Sequence, residues 1–210
     1  WAMEEFAEIK LGDKRLDARL IKLCERFSDA PESPINQACV DWAETKAAYR
    51  FFQNDKVEVG KILAIHRCKT AHRAKEHKTV LALQDTSYFV YTNHPKTKGL
   101  GKMSLKKGKN VKNIYSKGLI MHTCLAVTTK GLPLGLLDQK IFSRKLREKD
   151  NSKTKPHDHL PIEEKESYRW IEALENTKEV TGCTRIITVC DREADLYDFF
   201  KQSHQIDSPV

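Results

Sequence analysis

The sequence predicts an α/β chain in which a helical N-terminal domain precedes a mixed β-sheet with helices. Three observations carry this. Apolar residues recur at helical spacing up to about His77, short β-rich runs replace them from Thr79, and helical patterns then alternate with those runs. A chain of 210 residues is long enough for one sizeable domain or for a small one beside a larger one. Its 40% apolar and 31% charged content excludes collagen-like, low-complexity and wholly disordered classes. No apolar run approaches the roughly 18 residues of a membrane span, so no membrane partner is expected. The opening Trp1-Ala2-Met3-Glu4-Glu5 does not read as a signal peptide, which leads to an intracellular expectation.

From Asp13 to Phe27, Leu16, Leu20, Leu23 and Phe27 fall at helical spacing behind the natural N-cap Asp13. Arg15, Arg19, Lys22 and Arg26 repeat one residue earlier and form a basic stripe beside the apolar one. Such a helix packs on a core while touching a phosphate backbone, or is an ordinary surface helix. Residues 1–60 hold 9 basic and 12 acidic groups, so the segment as a whole is not basic. Ser33-Pro34 reads as a cap with proline at the first helical position, and the helical pattern continues through Trp42, Tyr49, Phe51 and Phe52. A further helix is expected from about Val57 to His77. The expected organisation is a helical domain over 1–60, a linking helix over 61–77 and a second domain over 78–210.

In the second domain, Thr79 to Gln84 reads as a buried strand ending in Asp85-Thr86-Ser87. Leu119 to Thr129 and Leu132 to Phe142 read as a hairpin turning at Lys130-Gly131. Ser143 to His159 reads as loop, and Pro161 opens a helix to about Thr177 with Trp170, Ile171 and Leu174 inward. Arg185 to Cys190 is a second buried strand ending in Asp191. A last helix is expected from Glu193 to His204.

The net charge of +8 is localised. No acid occurs between Asp85 and Asp138, whereas nine lysines do, so the rest of the chain sums to −1. Lys102, Lys106, Lys107 and Lys109 lie in that strip among glycines. This suits a flexible segment facing a polyanion, with a solvated lysine loop as the bland alternative. The six cysteines form no C-x-x-C pair and are expected to be reduced. His157-Asp158-His159 reads as solvated loop in preference to a metal site, and Cys190 as a packed thiol in preference to a nucleophile.

Asp85 and Asp191 each sit at the carboxyl end of an expected strand, where open α/β sheets place their ligands. In parallel neighbours about 4.8 Å apart they converge and repel unless a cation or proton intervenes. A hard divalent ion suits such oxygen ligands; strand-end capping is the alternative.

LGDKRLDARL (11–20), AAYRFFQN (47–54), LALQDTSYFVY (81–91), EKESYRW (164–170) and ITVCDREADLYDF (187–199) together resemble the DDE transposases of bacterial insertion sequences, in particular the transposon-five (IS-four) group. The resemblance covers the N-terminal portion of such an enzyme. It implies a helical domain that binds transposon ends, followed by an incomplete ribonuclease-H-like catalytic domain. Asp85 and Asp191 are then the first two catalytic acids and metal ligands, with Mg²⁺ or Mn²⁺, two ions in the complete enzyme. Lys14, Arg15 and Arg19, and in a second stretch Tyr49 and Arg50, fall where such enzymes contact end DNA. Double-stranded DNA of transposon ends and target, a homodimer in the synaptic complex and a location on the bacterial nucleoid are further implications. Arg192 and Glu193 are read as support for the site, and Asp195 as a capping or surface residue. The family's third acid, a glutamate in a Tyr-x-x-Arg-x-x-x-Glu run, has no match here, so these 210 residues are not expected to catalyse transposition alone. A truncated DNA-binding regulator of transposition and a generic metal-dependent nuclease are the alternatives.

Overall fold

Caps and apolar spacing place the first helices. The helices α1 (Ala2–Phe6), α2 (Lys14–Asp29), α3 (Ile35–Ala38), α4 (Trp42–Phe52) and α5 (Val59–Lys75) follow in order. Asp13 caps α2 as expected, its carboxylate accepting the Arg15 N–H at 2.9 Å. Leu20 and Leu23 of α2 are buried with Phe6, Ile9, Leu11, Cys39, Ala48 and Phe51, and Ile62 and Ile65 of α5 pack on this cluster. Burying each such large apolar side chain contributes about 1.5–3 kcal/mol. One boundary differs from expectation: Pro34 is itself the N-cap of α3, extended at φ −65° and ψ 158°. The helical run is also interrupted, because Cys39 is extended and Asp41 caps α4 afresh through the Glu44 N–H at 2.7 Å.

The computed structural model describes residues 1–91, 96–103, 116–144, 160–181, 184–206 and 210. They form two units, Trp1–His72 and Arg73–Val210. No helix among the described residues is long and apolar enough to cross a membrane.

The second unit is built on a five-stranded mixed sheet of β1 (Thr79–Val90), β2 (Gly101–Met103), β3 (Ser116–Thr128), β4 (Pro133–Phe142) and β5 (Arg185–Val189). β1 pairs antiparallel with β3 along one edge and parallel with β5 along the other. The far edge of β3 carries β2 and then β4, both antiparallel. The expected hairpin is present, with Gly131 at φ +86° in its turn. β1 is longer than expected: it does not stop at Gln84, because β3 offers partners as far as Gly118. The three-residue β2 lies inside the segment read as a lysine loop.

Two further helices differ at their starts. Pro161 opens only a 3₁₀ turn (Ile162–Glu164), after which Lys165 is extended and α6 (Tyr168–Thr181) begins. Asp191 likewise opens a 3₁₀ turn (Arg192–Ala194), and α7 (Tyr197–Gln205) starts only after Leu196. Ala173 of α6 joins Val80, Ala82, Cys124, Ala126, Leu137 and Ile186 in the sheet core. Trp170, Ile171 and Leu174 pack with Ala194 and Phe199 in a second cluster.

Gly118 lies between two strands, paired with Val90 and with Gly101. A Cβ there would collide with the Phe89 carbonyl oxygen, so backbone would have to give way. Gly118→Ala is expected to lower stability by about 1–3 kcal/mol, read from denaturant unfolding, with the far end of β1 losing amide-exchange protection first.

Candidate active site and nucleic-acid faces

The parallel pairing of β1 with β5 runs from Thr79 opposite Arg185 to Leu83 opposite Val189. Two residues beyond that last pair come Asp85, still within β1, and Asp191, after the end of β5. Asp85 is not a strand terminus, since it pairs with Thr123 of β3; it is β5 that ends there. Both aspartates are exposed. Asp191 is presented between two packed anchors, half-buried Cys190 and buried Ala194, both belonging to the Trp170 cluster. Its carboxylate accepts the Glu193 N–H at 2.8 Å, which shapes the turn. Burial, and then the neighbouring Asp191 charge, raise the Cys190 thiol, in keeping with a packed, unreactive group.

By strand alternation Thr86 faces away from Asp85, toward α6, and joins a polar network there. Arg169 of α6, 7% exposed, donates from Nε to Thr86 Oγ1 at 3.1 Å, from one terminal nitrogen to the Glu166 carbonyl at 2.8 Å, and from the other to Glu193 at 2.7 Å. Thr86 Oγ1 lies 2.9 Å from His122 Nδ1, and His122 Nε2 lies 3.2 Å from Gln84 Oε1. The amide oxygen can only accept, so the neutral imidazole carries its proton on Nε2, and Nδ1 accepts from the Thr86 hydroxyl. Burial first, then the charges of Arg169 and Lys140, hold His122 down to about 4. Arg144 forms a two-pronged pair with Glu166 at 2.6 and 2.8 Å, which lowers the Glu166 carboxyl. Asp195 is exposed and lies after the turn, while Leu196 occupies the N-cap of α7.

The donor set at Asp85 and Asp191 is two carboxylates. Among the described residues no group of three or more His, Cys, Asp or Glu side chains is arranged to hold a metal. Two carboxylates fit Mg²⁺ or Mn²⁺, ions that keep several waters and take one or two protein carboxylates together with substrate phosphate.

In the first unit Lys14 and Arg15 are exposed and Arg19 is half-buried, at the N-terminal end of α2. The basic stripe divides into two parts. Lys22 and Arg26 pair with Glu44 of α4 at 2.9 and 3.3 Å, so this half of the stripe ties α2 to α4. Glu44 is buried and held down to about 2, first by the Val40 N–H it accepts at 2.9 Å and then by Lys22. Tyr49 and Arg50 are exposed on α4. Two companions not expected from the sequence share that face: Trp42, 66% exposed, and Lys46, whose Nζ lies 5.4 Å from the Trp42 ring centroid. The spacing 42, 46, 49, 50 is the signal for them, but by composition Trp42 reads as an apolar position. Lys102 is exposed on β2, opposite Lys117 of β3. Lys106, Lys107 and Lys109, like His157, Asp158 and His159, lie outside the described residues.

Residues 1–57 match the family described as transposase DNA-binding. Among solved structures, the chain is similar to Mos1 transposase in its strand transfer complex (12% identity, TM-score 0.31) and in its paired-end complex with the left transposon end (13%, 0.30). It is similar also to a pre-cleavage Mos1 transpososome (11%, 0.29). The alignments cover 96% of this chain and 58%, 58% and 59% of those chains, so it spans about three fifths of their length. Superpositions this loose do not define a shared fold.

Two stability measurements test these placements. Between pH 6.5 and about 4 the unfolded chain takes up a proton on His122 that the folded chain refuses, so stability falls as pH falls through that window. His122→Gln is expected to flatten that part of the curve of thermal midpoint against pH. Glu44 has the acid's sign: its contribution is whole above 4.5 and disappears as pH falls toward 2. Glu44→Gln is expected to cost about 1.5–3 kcal/mol at pH 7 in urea unfolding, the difference closing near pH 2.

Proposed function

We propose that the chain is the N-terminal portion of a DDE transposase of the insertion-sequence, transposon-five-like group. In this reading it binds transposon terminal repeats and contributes two acids to a ribonuclease-H-like site that cuts and joins DNA. One observation supports it: the segment matching transposase DNA-binding is followed on the same chain by the adjacent parallel strands β1 and β5, with Asp85 and Asp191 each two residues beyond their last paired position, Leu83 opposite Val189. The antiparallel β1, β3 and β4 with β5 parallel to β1 support the ribonuclease-H-like reading.

Asp85 and Asp191 would hold Mg²⁺ or Mn²⁺. Such an ion, when bound, supplies Lewis-acid activation of an attacking oxygen and charge stabilisation of the leaving one. The chain's own part is positioning. Cys190 and Ala194 fix the turn that offers Asp191, and β3 fixes Asp85 within β1. Lys102 and the other lysines of the strip would neutralise phosphates approaching the second unit. On the first unit Lys14, Arg15 and Arg19 would take backbone phosphates, while the Trp42, Lys46, Tyr49 and Arg50 face offers aromatic area beside charge. The synaptic partner would be a second copy, and the setting the bacterial nucleoid.

Fluorescence anisotropy with a duplex carrying the terminal repeat that flanks the gene, against a scrambled duplex, tests this at moderate salt. The repeat is expected to bind more tightly. Arg15→Ala and Arg50→Ala are each expected to weaken binding and reduce the salt slope by about one, and Trp42→Ala to weaken it without changing the slope. Equal affinity for both duplexes would sink the reading.

A further inference from the structure

Arg169 touches neither aspartate, yet it joins the two segments that carry them. Its Nε–H meets Thr86, the residue after Asp85, and a terminal nitrogen meets Glu193, two residues after Asp191. Its remaining terminal nitrogen meets the carbonyl of Glu166 in the lead-in to α6. The strand, the turn and the start of the helix thus converge on one buried planar group. A guanidinium is suited to this because its donors diverge in fixed directions, whereas an ammonium is a single point on a flexible stem. Thr86 is fixed a second time by His122, so the bridge ends on a side chain that cannot easily rotate away.

We propose that Arg169 is a positioning residue: it sets the separation of Asp85 and Asp191 by tying Thr86 to Glu193, and so tunes the affinity of the pair for a divalent cation. This rests on the reading of the two aspartates as metal ligands. Charge alone predicts the opposite sign. Removing a cation from the segments that carry the two carboxylates, and freeing Glu193 from its partner, would tighten cation binding; loss of the bridge loosens it.

The test is a Mn²⁺ titration of the full chain, followed by electron paramagnetic resonance of free Mn²⁺ and by paramagnetic broadening of backbone amide signals. In the parent protein one ion is expected to broaden both the Thr86 and Glu193 amides, and Asp85→Asn or Asp191→Asn to abolish this. Arg169→Gln is expected to weaken Mn²⁺ on the order of tenfold and to split the broadening between the two segments. Arg169→Lys keeps the charge and is not expected to restore affinity. Thr86→Val leaves every charge in place, removes the bridge at its β1 end and is expected to weaken binding in the same direction, which keeps the test decisive if Arg169→Gln does not fold. Loss of Mn²⁺ in the aspartate variants, with unchanged or tighter binding in Arg169→Gln and Thr86→Val, overturns the positioning role and leaves the site reading standing. Full restoration by Arg169→Lys overturns the bridge as well. Unaltered binding in both aspartate variants removes the site reading, and the inference with it.

Discussion

Parallel strands cannot be closed by a tight turn, so β1 and β5 become neighbours only when the chain between them finds its own place. That intervening chain adds β3 and β4 on one side and lays α6 over the sheet, and it is what sets β5 beside β1. The pairing lasts five residues and then β5 leaves, while β1 continues against β3 to Val90. The departure leaves β1 without a β5 partner from Gln84 onward, and Asp191 lies in the turn that follows β5. A longer β5 would have carried Asp191 into regular strand geometry. A one-residue slip would have turned it toward the covered face.

The covered face is polar where it meets this edge, which is costly for each group left without a partner, as the Gln84 Nε2 and Trp170 Nε1 are. Gln84, Thr86 and His122 project from adjacent strands into the space beneath α6, where the His122 ring meets Trp170 edge-on at 4.5 Å between centroids. Arg169 brings a full charge into the same region, and its donors go to Thr86, a backbone carbonyl and Glu193. A neutral His122 suits this cation, because a second positive charge in poorly solvated surroundings would oppose it.

Much of this was legible in the sequence because it is local. Asp13 as a cap, Gly131 in the hairpin turn and the inward Trp170 follow from residue type and spacing. The aspartates at strand-end positions were legible too, although Asp85 read as a terminus and is internal. Asp-Thr-Ser is a turn signal by composition, and only the long partner β3 overrides it. β2 is too short for alternation to show. Lys22 and Arg26 read as part of an exposed stripe because their partner, Glu44, comes from the next long helix and burial cannot be read locally. Arg169 lies within EKESYRW (164–170), but its partners come from β1, the lead-in to α6 and the turn after β5, a convergence that no spacing rule reaches.

Each unit has a buried charge that ties two of its elements together. In the first, the Glu44 carboxylate, 5% exposed, gathers Lys22 and Arg26 and fixes α2 against α4, the two helices that present Lys14, Arg15, Trp42, Tyr49 and Arg50. In the second, the Arg169 guanidinium gathers Thr86 and Glu193 and fixes β1 against the turn that presents Asp191. Burial makes each hub directional, because a charge taken out of water needs all its hydrogen bonds satisfied and tolerates little displacement. The exposed groups can then stay solvated while their positions are set from beneath. Surface ion pairs would not do this, since they are weak and would neutralise the exposed groups themselves.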